Sequence, residues 1–422
     1  MKIFSRKVVS NSFWMMFEKL IGIFGLIFVT SFVAKYIGPT NFGKIALATT
    51  IFTFVQTFTW FGNQEILFKR VSKNAKSGLQ YLSSTQCIRK QLFILFTVPI
   101  LGFFYFFSDH LTFIFGLATA FSVYFVTQDM HAIYNNALLN SHINAIANML
   151  GLACALILRY ILVYFEMSIE LLAIPIVLVS LIPYLLKKYW FNKTDRTKNI
   201  LKSKYNKYYF TTGSALVIST LAISLYTQIT SLFLAMLQST FELGLYAAAI
   251  PLAMSWSFVN SAIITSVLSR VYQEKNLFMS YKMVAQLNSV IVAISLCIII
   301  LLALLGEMLV SWLYGQAYAQ SYPLILILGV ATMFSGLGTI ATRVMVKEES
   351  YAYIAKKMLV VALCSLPISY LMITYYGLKG AAYSVLVIEL ISATFFNYFY
   401  KKGLIFKIHF FPLFKDSLKL KV

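Results

Sequence analysis

Charged residues are scarce in this sequence, and acidic residues are the scarcest. Asp, Glu, Lys and Arg together make up 12% of the 422 residues, whereas hydrophobic residues make up 60%. Soluble domains carry about 25% charged residues, and the mean hydropathy of this chain is +0.78. A soluble globular protein is therefore excluded, and the composition indicates a membrane protein.

Cysteine is also rare, and the sequence contains none of the common catalytic motifs. The four cysteines occur singly, without the spacing of a disulfide framework or a metal site. His131 and His142 have no cluster of Cys or acidic residues beside them. There is no phosphate-binding glycine loop and no Ser/His/Asp arrangement. We therefore predict no catalytic residues, no metal, no cofactor and no ATP hydrolysis by this chain.

Long hydrophobic runs dominate the sequence. A membrane-spanning helix needs about 20 mostly apolar residues. The runs lie near 12–34, 43–64, 91–107, 111–129, 143–164, 169–186, 209–237, 243–268, 283–305, 321–342, 358–376 and 380–399. We predict an all-α membrane protein with twelve transmembrane helices.

The formal net charge of +21 follows the predicted topology. Basic residues concentrate in the N-terminus, in alternate loops (above all 187–207) and after residue 400. The other loops carry acids such as Asp109, Glu166 and Glu170. This asymmetry is the positive-inside rule. It places both termini in the cytoplasm and disfavours nucleic-acid binding.

The two halves of the chain share a short sequence pattern. Residues 42–48 follow the first span, and 243–249 follow the first span after the 187–207 loop; the two segments share a glycine and two alanines. We predict two six-helix lobes, 1–200 and 201–422, related by a pseudo-two-fold axis along the membrane normal, with a substrate site between them. We also expect Phe42-Gly43 to form a tight outer turn.

A turn near the N-terminus carries a family resemblance. Gly38-Pro39 must break a helix, because proline lacks the N–H and restricts the residue before it. The surrounding segment 34–43, AKYIGPTNFG, resembles the "ARYLGPxxFG" signature of the polysaccharide transporter family. Segments 61–70 and 313–318 are similar to later parts of that family. It belongs to the multidrug/oligosaccharidyl-lipid/polysaccharide exporter superfamily, which includes the Wzx-type O-antigen flippases.

The resemblance implies a function. A flippase of this type moves a polyprenyl-diphosphate-linked oligosaccharide from the cytoplasmic to the outer leaflet by alternating access, for O-antigen or other surface polysaccharide. It also implies a bacterial cytoplasmic (inner) membrane location, coupling to protons or Na⁺, and cooperation with polysaccharide polymerase machinery. The chain would be a transporter and not an enzyme.

Three basic residues are candidates for binding the anionic substrate. Arg159 lies inside the fifth span, Lys35 near the end of the first, and Lys19 early in the first. A cation inside a span is costly unless it reaches water or a partner. The alternative for Arg159 and Lys35 is that each side chain extends to the headgroup region.

Three acidic residues are candidates for coupling an ion. Glu389 falls near the middle of the last predicted span, where an ionised side chain is most expensive. We expect it to pair with Arg159 or Lys19 or to be protonated. A purely structural interhelical pair is the alternative. Glu18 and Asp129, at the ends of their spans, are the other candidates, and a carboxylate at headgroup level is the alternative for Glu18.

Asparagines recur every four residues between the fourth and fifth spans, at Asn136, Asn140, Asn144 and Asn148. On one helix they would share a face. We predict that Asn140, Asn144 and Asn148 line a cytoplasmic entrance for sugars. A solvated hairpin face explains the pattern equally.

Uncharged polar residues also lie inside predicted spans, among them Asn260 and Asn288. Such residues usually form hydrogen bonds between helices. We therefore expect Asn260 and Asn288 to join helices of the second lobe.

Two other functions compete with the flippase. A cation-coupled multidrug exporter of the same superfamily would favour an acidic and aromatic cavity. An O-antigen polymerase or ligase would carry a long outer loop with arginine, whereas the longest predicted outer connection runs only over 306–320.

Overall fold

The structure is a computed structural model that describes residues 6–194 and 204–411. Within those ranges every regular element is a helix. The chain divides into two compact units, Met1–Leu225 and Tyr226–Val422. Part of the predicted 187–207 loop and the tail beyond residue 411 lie outside the described ranges. The assignment of lobes to 1–200 and 201–422 stays a prediction.

The first unit contains eight helices and the start of a ninth. They are α1 (Arg6–Trp60), α2 (Asn63–Lys73), α3 (Ala75–Ser84), α4 (Gln86–Phe107), α5 (His110–Gln128), α6 (His131–Ala137), α7 (Ser141–Tyr164), α8 (Ala173–Thr194) and α9 (Lys204–Leu237). The remaining helices are α10 (Thr240–Met254), α11 (Ser257–Gln273), α12 (Leu277–Tyr314), α13 (Tyr322–Lys347), α14 (Tyr351–Ala393), α15 (Phe395–Tyr398) and α16 (Leu404–His409).

Nine helical segments of the described ranges are long and apolar enough to cross a membrane. The number rises to ten if the bent pair Thr30–Trp60 and Asn63–Lys73 forms one span. The chain is thus an all-helical, multi-pass membrane protein. The count of twelve stays a prediction, as does the symmetry axis.

Two of the helices are far longer than a bilayer is thick, and each is broken at a glycine. At 1.5 Å per residue, the 43 residues of α14 would extend about 65 Å, twice the hydrocarbon core of about 30 Å. The backbone of α14 leaves helical geometry at Gly377 (φ 55°, ψ −131°), and α1 does so at Gly38 (φ 75°, ψ 167°). The predicted break at Gly38-Pro39 is confirmed.

The position of the outer turn is corrected. Phe42 and Gly43 lie inside the helix that resumes after Gly38, and Gly244 likewise lies inside α10. The reason is Pro39, whose fixed φ suits the first turn of a helix, where its missing N–H has no partner to lose. Helical structure therefore restarts directly after Gly38.

Among the described residues, the same turn follows α6, α7 and α13. Its left-handed residue is Leu139 (φ 59°), Glu166 (φ 50°) or Glu349 (φ 56°). The next residue in each turn donates its N–H to the carbonyl five residues earlier, at 2.8 Å for Asn140 and 2.9 Å for Met167 and Ser350. A left-handed residue of this kind is a common way to end a helix.

Side chains join the turns at one end of the first unit. Lys44 forms an ion pair with Asp109 at 2.7 Å, and the Tyr36 hydroxyl donates to the Met167 carbonyl at 2.8 Å. These turns are the ones that the charge pattern predicts to face outside.

A second cluster closes one end of the second unit. Glu348 accepts hydrogen bonds from the hydroxyls of Tyr281 at 2.6 Å and Tyr400 at 2.8 Å, and it pairs with Lys401. Burial by itself would raise the pKa of Glu348, but the hydrogen bonds from Lys401, Tyr281 and Tyr400 outweigh it, and the pKa lies below its ordinary value.

We expect Gly38→Ala to destabilise the protein even though the space beside Gly38 is empty. No atom lies within 4 Å of a Cβ built there, so the cost comes from the positive φ alone, about 1–3 kcal/mol. Gly102→Ala is the matched control, because its surroundings are equally open and its backbone is helical. The measurement is the thermal unfolding midpoint of the purified protein, and equal midpoints for the two variants would contradict the expectation.

We expect Glu348→Gln to destabilise the protein by about 1–3 kcal/mol near neutral pH. Because the folded-state pKa lies below the unfolded one, the stabilisation is complete above the ordinary glutamate pKa and is lost as the pH falls through the folded value. The midpoint difference between wild type and variant should stay constant from about pH 8 to pH 6 and shrink below about pH 4.3. A difference that grows on acidification would refute this account.

Candidate functional site

The second unit contains a half-buried carboxylate inside a membrane-spanning helix. Glu389 lies on α14 after the Gly377 break. Its carboxylate interacts with the side chains of Ser335 and Tyr226 and, electrostatically, with Lys357, which is 5% exposed. Tyr226 of α9, Ser335 of α13 and Lys357 of α14 thus lie around the Glu389 carboxylate.

The break at Gly377 brings the two segments of α14 close together. Past the break, Gly380 lies against the backbone of Met372, where a Cβ would collide with the carbonyl oxygen. Glycine is therefore required at this approach. The reversal allows Lys357, before the break, to interact with Glu389 after it.

Sequence reasoning does not single out Lys357. The positive-inside pattern assigns it to the cytoplasmic surface, but in the structure it is buried and interacts electrostatically with Glu389. The pairing of Glu389 with Arg159 or Lys19, or its protonation, stays a prediction. The available signal was helical spacing, since Lys357 shares one face of α14 with the buried Val361 and Ser365.

Three hydroxyls form a second polar cluster within this unit. Thr230 Oγ1 lies 3.2 Å from Ser369 Oγ and 3.3 Å from Ser384 Oγ, and all three residues are buried. These bonds link α9 to both segments of α14.

Arg159 is a guanidinium without a partner among the described residues of the first unit. It is half-buried on α7, on the same face as the buried Ala155 and Leu162. It forms no hydrogen bond or ion pair with any residue in the described ranges. A cation held in this way inside a spanning helix is available to an anionic ligand.

The other two basic candidates differ from Arg159. Lys35 is exposed at its helix surface, as expected for a side chain that extends to the headgroups. Lys19 lies on α1, and its side chain is outside the described part of the structure. Their substrate-binding roles stay predictions.

Glu18 interacts with the asparagine nearest Arg159. The amide of Asn148 donates to Glu18 Oε1 at 2.5 Å, joining α7 to α1. Asn148 lies on the same face of α7 as Arg159, about three turns away. This carboxylate is therefore held by a neutral donor.

The other predicted asparagines do not share one helical face. Asn136 belongs to α6, Asn140 stands at the break before α7, and Asn144 lies on α7. Asn144 is 3% exposed; it accepts from Asn135 at 2.9 Å and donates to Asn136 at 2.8 Å. Its amide thus closes the α6–α7 turn, and the expectation of a continuous sugar-lining stripe is wrong at this position.

Asp129 forms a buried ion pair. Its Oδ2 lies 2.7 Å from Lys187 Nζ, with both side chains almost inaccessible, and its Oδ1 lies 3.7 Å from His131 Nδ1. The charge is compensated within the first unit. Its proposed part in ion coupling stays a prediction.

A further cation is buried at the same end of the first unit. Arg89 is 1% exposed, and its Nη1 donates to Thr85 Oγ1 at 2.8 Å. The rings of Tyr81, Tyr184 and Tyr209 are its closest titratable neighbours in the described ranges.

Arg70 is enclosed by aromatic rings. Its guanidinium lies 4.8 Å from the centre of Tyr208, 5.1 Å from Tyr205 and 5.2 Å from Tyr81. Cation–π contacts of this kind attach the start of α9 to α2 and α3. Among the described residues, no group of three or more His, Cys, Asp or Glu could hold a metal ion.

Comparison with known proteins assigns the family. The family model described as "Polysaccharide biosynthesis protein" matches residues 8–269. The chain belongs to this polysaccharide biosynthesis family. This confirms the recognition made from the Gly38-Pro39 segment.

One curated relative of this family member is the "Capsular polysaccharide biosynthesis protein CapF" of Staphylococcus aureus. It is 26% identical over 257 residues, which are 59% of this chain. The match spans 64% of the length of that relative.

Solved structures show the fold of this polysaccharide biosynthesis protein. "Lipid II flippase MurJ, inward closed conformation" matches with a TM-score of 0.72 at 15% identity, covering 98% of this chain and 93% of that one. An inward-facing multidrug resistance MATE family transporter of the MOP superfamily matches with a TM-score of 0.69 at 13% identity, covering 95% of each chain. The fold is that of membrane transporters.

We expect Lys357→Met to destabilise the protein by about 1–3 kcal/mol, because it removes the cation that interacts with the half-buried Glu389 carboxylate. The double variant Lys357→Met/Glu389→Gln should recover most of the loss. The measurement is thermal unfolding in detergent. Lys356→Met is the control, since that neighbouring lysine is exposed, and a double variant no more stable than Lys357→Met would contradict the pairing.

Proposed function

We propose that this protein is a flippase that moves a polyprenyl-diphosphate-linked oligosaccharide from the cytoplasmic to the outer leaflet of a bacterial cytoplasmic membrane. It would supply repeat units for O-antigen, capsule or another surface polysaccharide. Family membership and the transporter fold support the general class. Arg159 is the observation that carries the proposed substrate chemistry.

Arg159 suits a diphosphate because a guanidinium offers paired N–H donors to phosphate oxygens. In the described ranges no carboxylate competes for it. The absence of a counter-charge is costly in a spanning helix unless a ligand supplies one. An anionic substrate would do so during transport.

Glu389 is the proposed coupling group. Its carboxylate is held by Lys357, Tyr226 and Ser335, all of which could rearrange if a proton or Na⁺ neutralised it. In this proposal, such neutralisation drives alternating access between two six-helix lobes, with both termini in the cytoplasm and polysaccharide polymerase machinery receiving the product.

A multidrug exporter is the second candidate, and the likeness to MATE transporters is the observation that favours it. Cationic drugs would need an acidic binding surface. The unpaired guanidinium of Arg159 favours an anionic substrate over a cationic one.

The flippase is tested in proteoliposomes with lipid-linked oligosaccharide. We expect the oligosaccharide to become accessible to an external glycosidase only in vesicles that contain the protein. Complementation of a cell lacking its own flippase, with matching repeat units, should restore surface polysaccharide. Failure of the proteoliposome assay together with active efflux of a cationic dye would favour the exporter.

We expect Arg159→Ala to reduce flipping by roughly ten- to a hundredfold, because one charge-assisted contact contributes about 1.5–3 kcal/mol. Membrane abundance should stay at the wild-type level. Arg159→Lys, which keeps the charge but loses the paired donors, should retain part of the activity. Equal loss of abundance and flipping in Arg159→Ala would instead indicate a structural role.

A further inference from the structure

A groove lies on the second unit. Its volume is about 550 Å³, within the range of small-ligand sites. Side chains of α12 and α13 form its walls, and the segment that follows α14 closes one end. Its lining includes Asn288, Ala293, Leu296, Phe334, Tyr398 and His409.

Most of the groove is apolar, and its rim is accessible from outside the unit. Ala293 and Leu296 are exposed on α12, which is a membrane-spanning segment. The surface next to these residues is therefore bilayer hydrocarbon. An acyl chain of a lipid can enter the groove directly from the hydrocarbon region of the bilayer.

One buried polar group in the groove has no partner. Asn288 is 6% exposed, and its Oδ1 forms no hydrogen bond. The interhelical bond expected from the sequence is therefore not formed by this oxygen. An unsatisfied buried acceptor is destabilising, and a ligand with a hydroxyl donor would relieve this cost.

A histidine supplies the complementary donor. The Tyr398 hydroxyl lies 3.1 Å from His409 Nδ1, and burial lowers the pKa of His409 to about 4, so the ring is neutral at pH 7. In the tautomer in which Tyr398 donates to Nδ1, the ring proton resides on Nε2. That N–H can be donated to a phosphate oxygen.

The segment that carries His409 is basic. Lys401, Lys402 and Lys407 lie on it, and Lys401 is paired with Glu348. Lys402 and Lys407 have no ion-pair partner in the described ranges. Basic residues beside a span attract anionic lipid headgroups. The charge of this end of the groove therefore fits an anionic headgroup.

We propose that the groove binds an anionic phospholipid of the cytoplasmic leaflet, phosphatidylglycerol in chemistry, with one acyl chain against α12 and α13. Its phosphate accepts from His409 Nε2 and faces Lys402 and Lys407, and a headgroup hydroxyl donates to Asn288 Oδ1. This lipid is a resident ligand and is separate from the transported substrate. The proposal does not depend on the flippase assignment.

The experiment titrates the purified full-length protein with dioleoyl phosphatidylglycerol or dioleoyl phosphatidylcholine and counts bound lipid by native mass spectrometry. We expect one phosphatidylglycerol site that binds at least about tenfold tighter than phosphatidylcholine, which has neither net charge nor a hydroxyl donor. Ala293→Trp should abolish this site by filling the groove. Ile300→Trp is the control, because Ile300 is an exposed residue two turns further along the same face of α12.

A second variant separates binding from folding. Asn288→Leu removes the unpaired amide, so it should weaken phosphatidylglycerol binding by about tenfold while leaving the lipid-free protein as stable as wild type or more stable. Equal affinity for the two lipids would overturn the proposal. So would an unchanged phosphatidylglycerol site in both Ala293→Trp and Asn288→Leu.

Discussion

A charge inside a bilayer must find its counter-charge within the protein, and this constraint organises both units. In the first unit Lys187 neutralises Asp129 at 2.7 Å, and in the second Lys357 faces Glu389. Each pair connects helix segments that are distant in sequence. The chain has only 14 acidic residues. Two of those inside spans, Asp129 and Glu389, each interact with a lysine. Arg89 and Arg159 have no carboxylate partner among the described residues, and Arg159 is the one for which we propose an anionic ligand.

Hydrophobicity and charge pattern predict the class of the fold well. They establish the spanning helices, and the Gly38-Pro39 pair predicts a backbone break that the structure contains. The location of the next turn could not be predicted from the weak repeat around Gly43 and Gly244, because a shared glycine inside a helix looks the same in sequence as one in a turn. Pro39 distinguishes a glycine inside a helix from one in a turn here, because proline is common in the first turn of a helix.

The polar sites were harder to predict, since they depend on tertiary contacts. The position of Glu389 near the middle of a predicted span marks it as a candidate site. No feature of the sequence marks Lys357 as its neighbour. Lys357 lies at the edge of a span, where hydropathy cannot distinguish a surface lysine from a buried one. The four-residue spacing suggests that the asparagines share one helical face. Because the chain breaks between α6 and α7, Asn144 instead forms hydrogen bonds with Asn135 and Asn136. The isolated acceptor of Asn288 has no sequence signature at all.

The Gly377 break gives the Glu389–Lys357 pair a mechanical meaning. The two side chains lie on opposite sides of the break, so their electrostatic attraction joins the two segments that the break separates. We infer that straightening α14 would move the two charges apart, and that neutralising either one would remove this attraction.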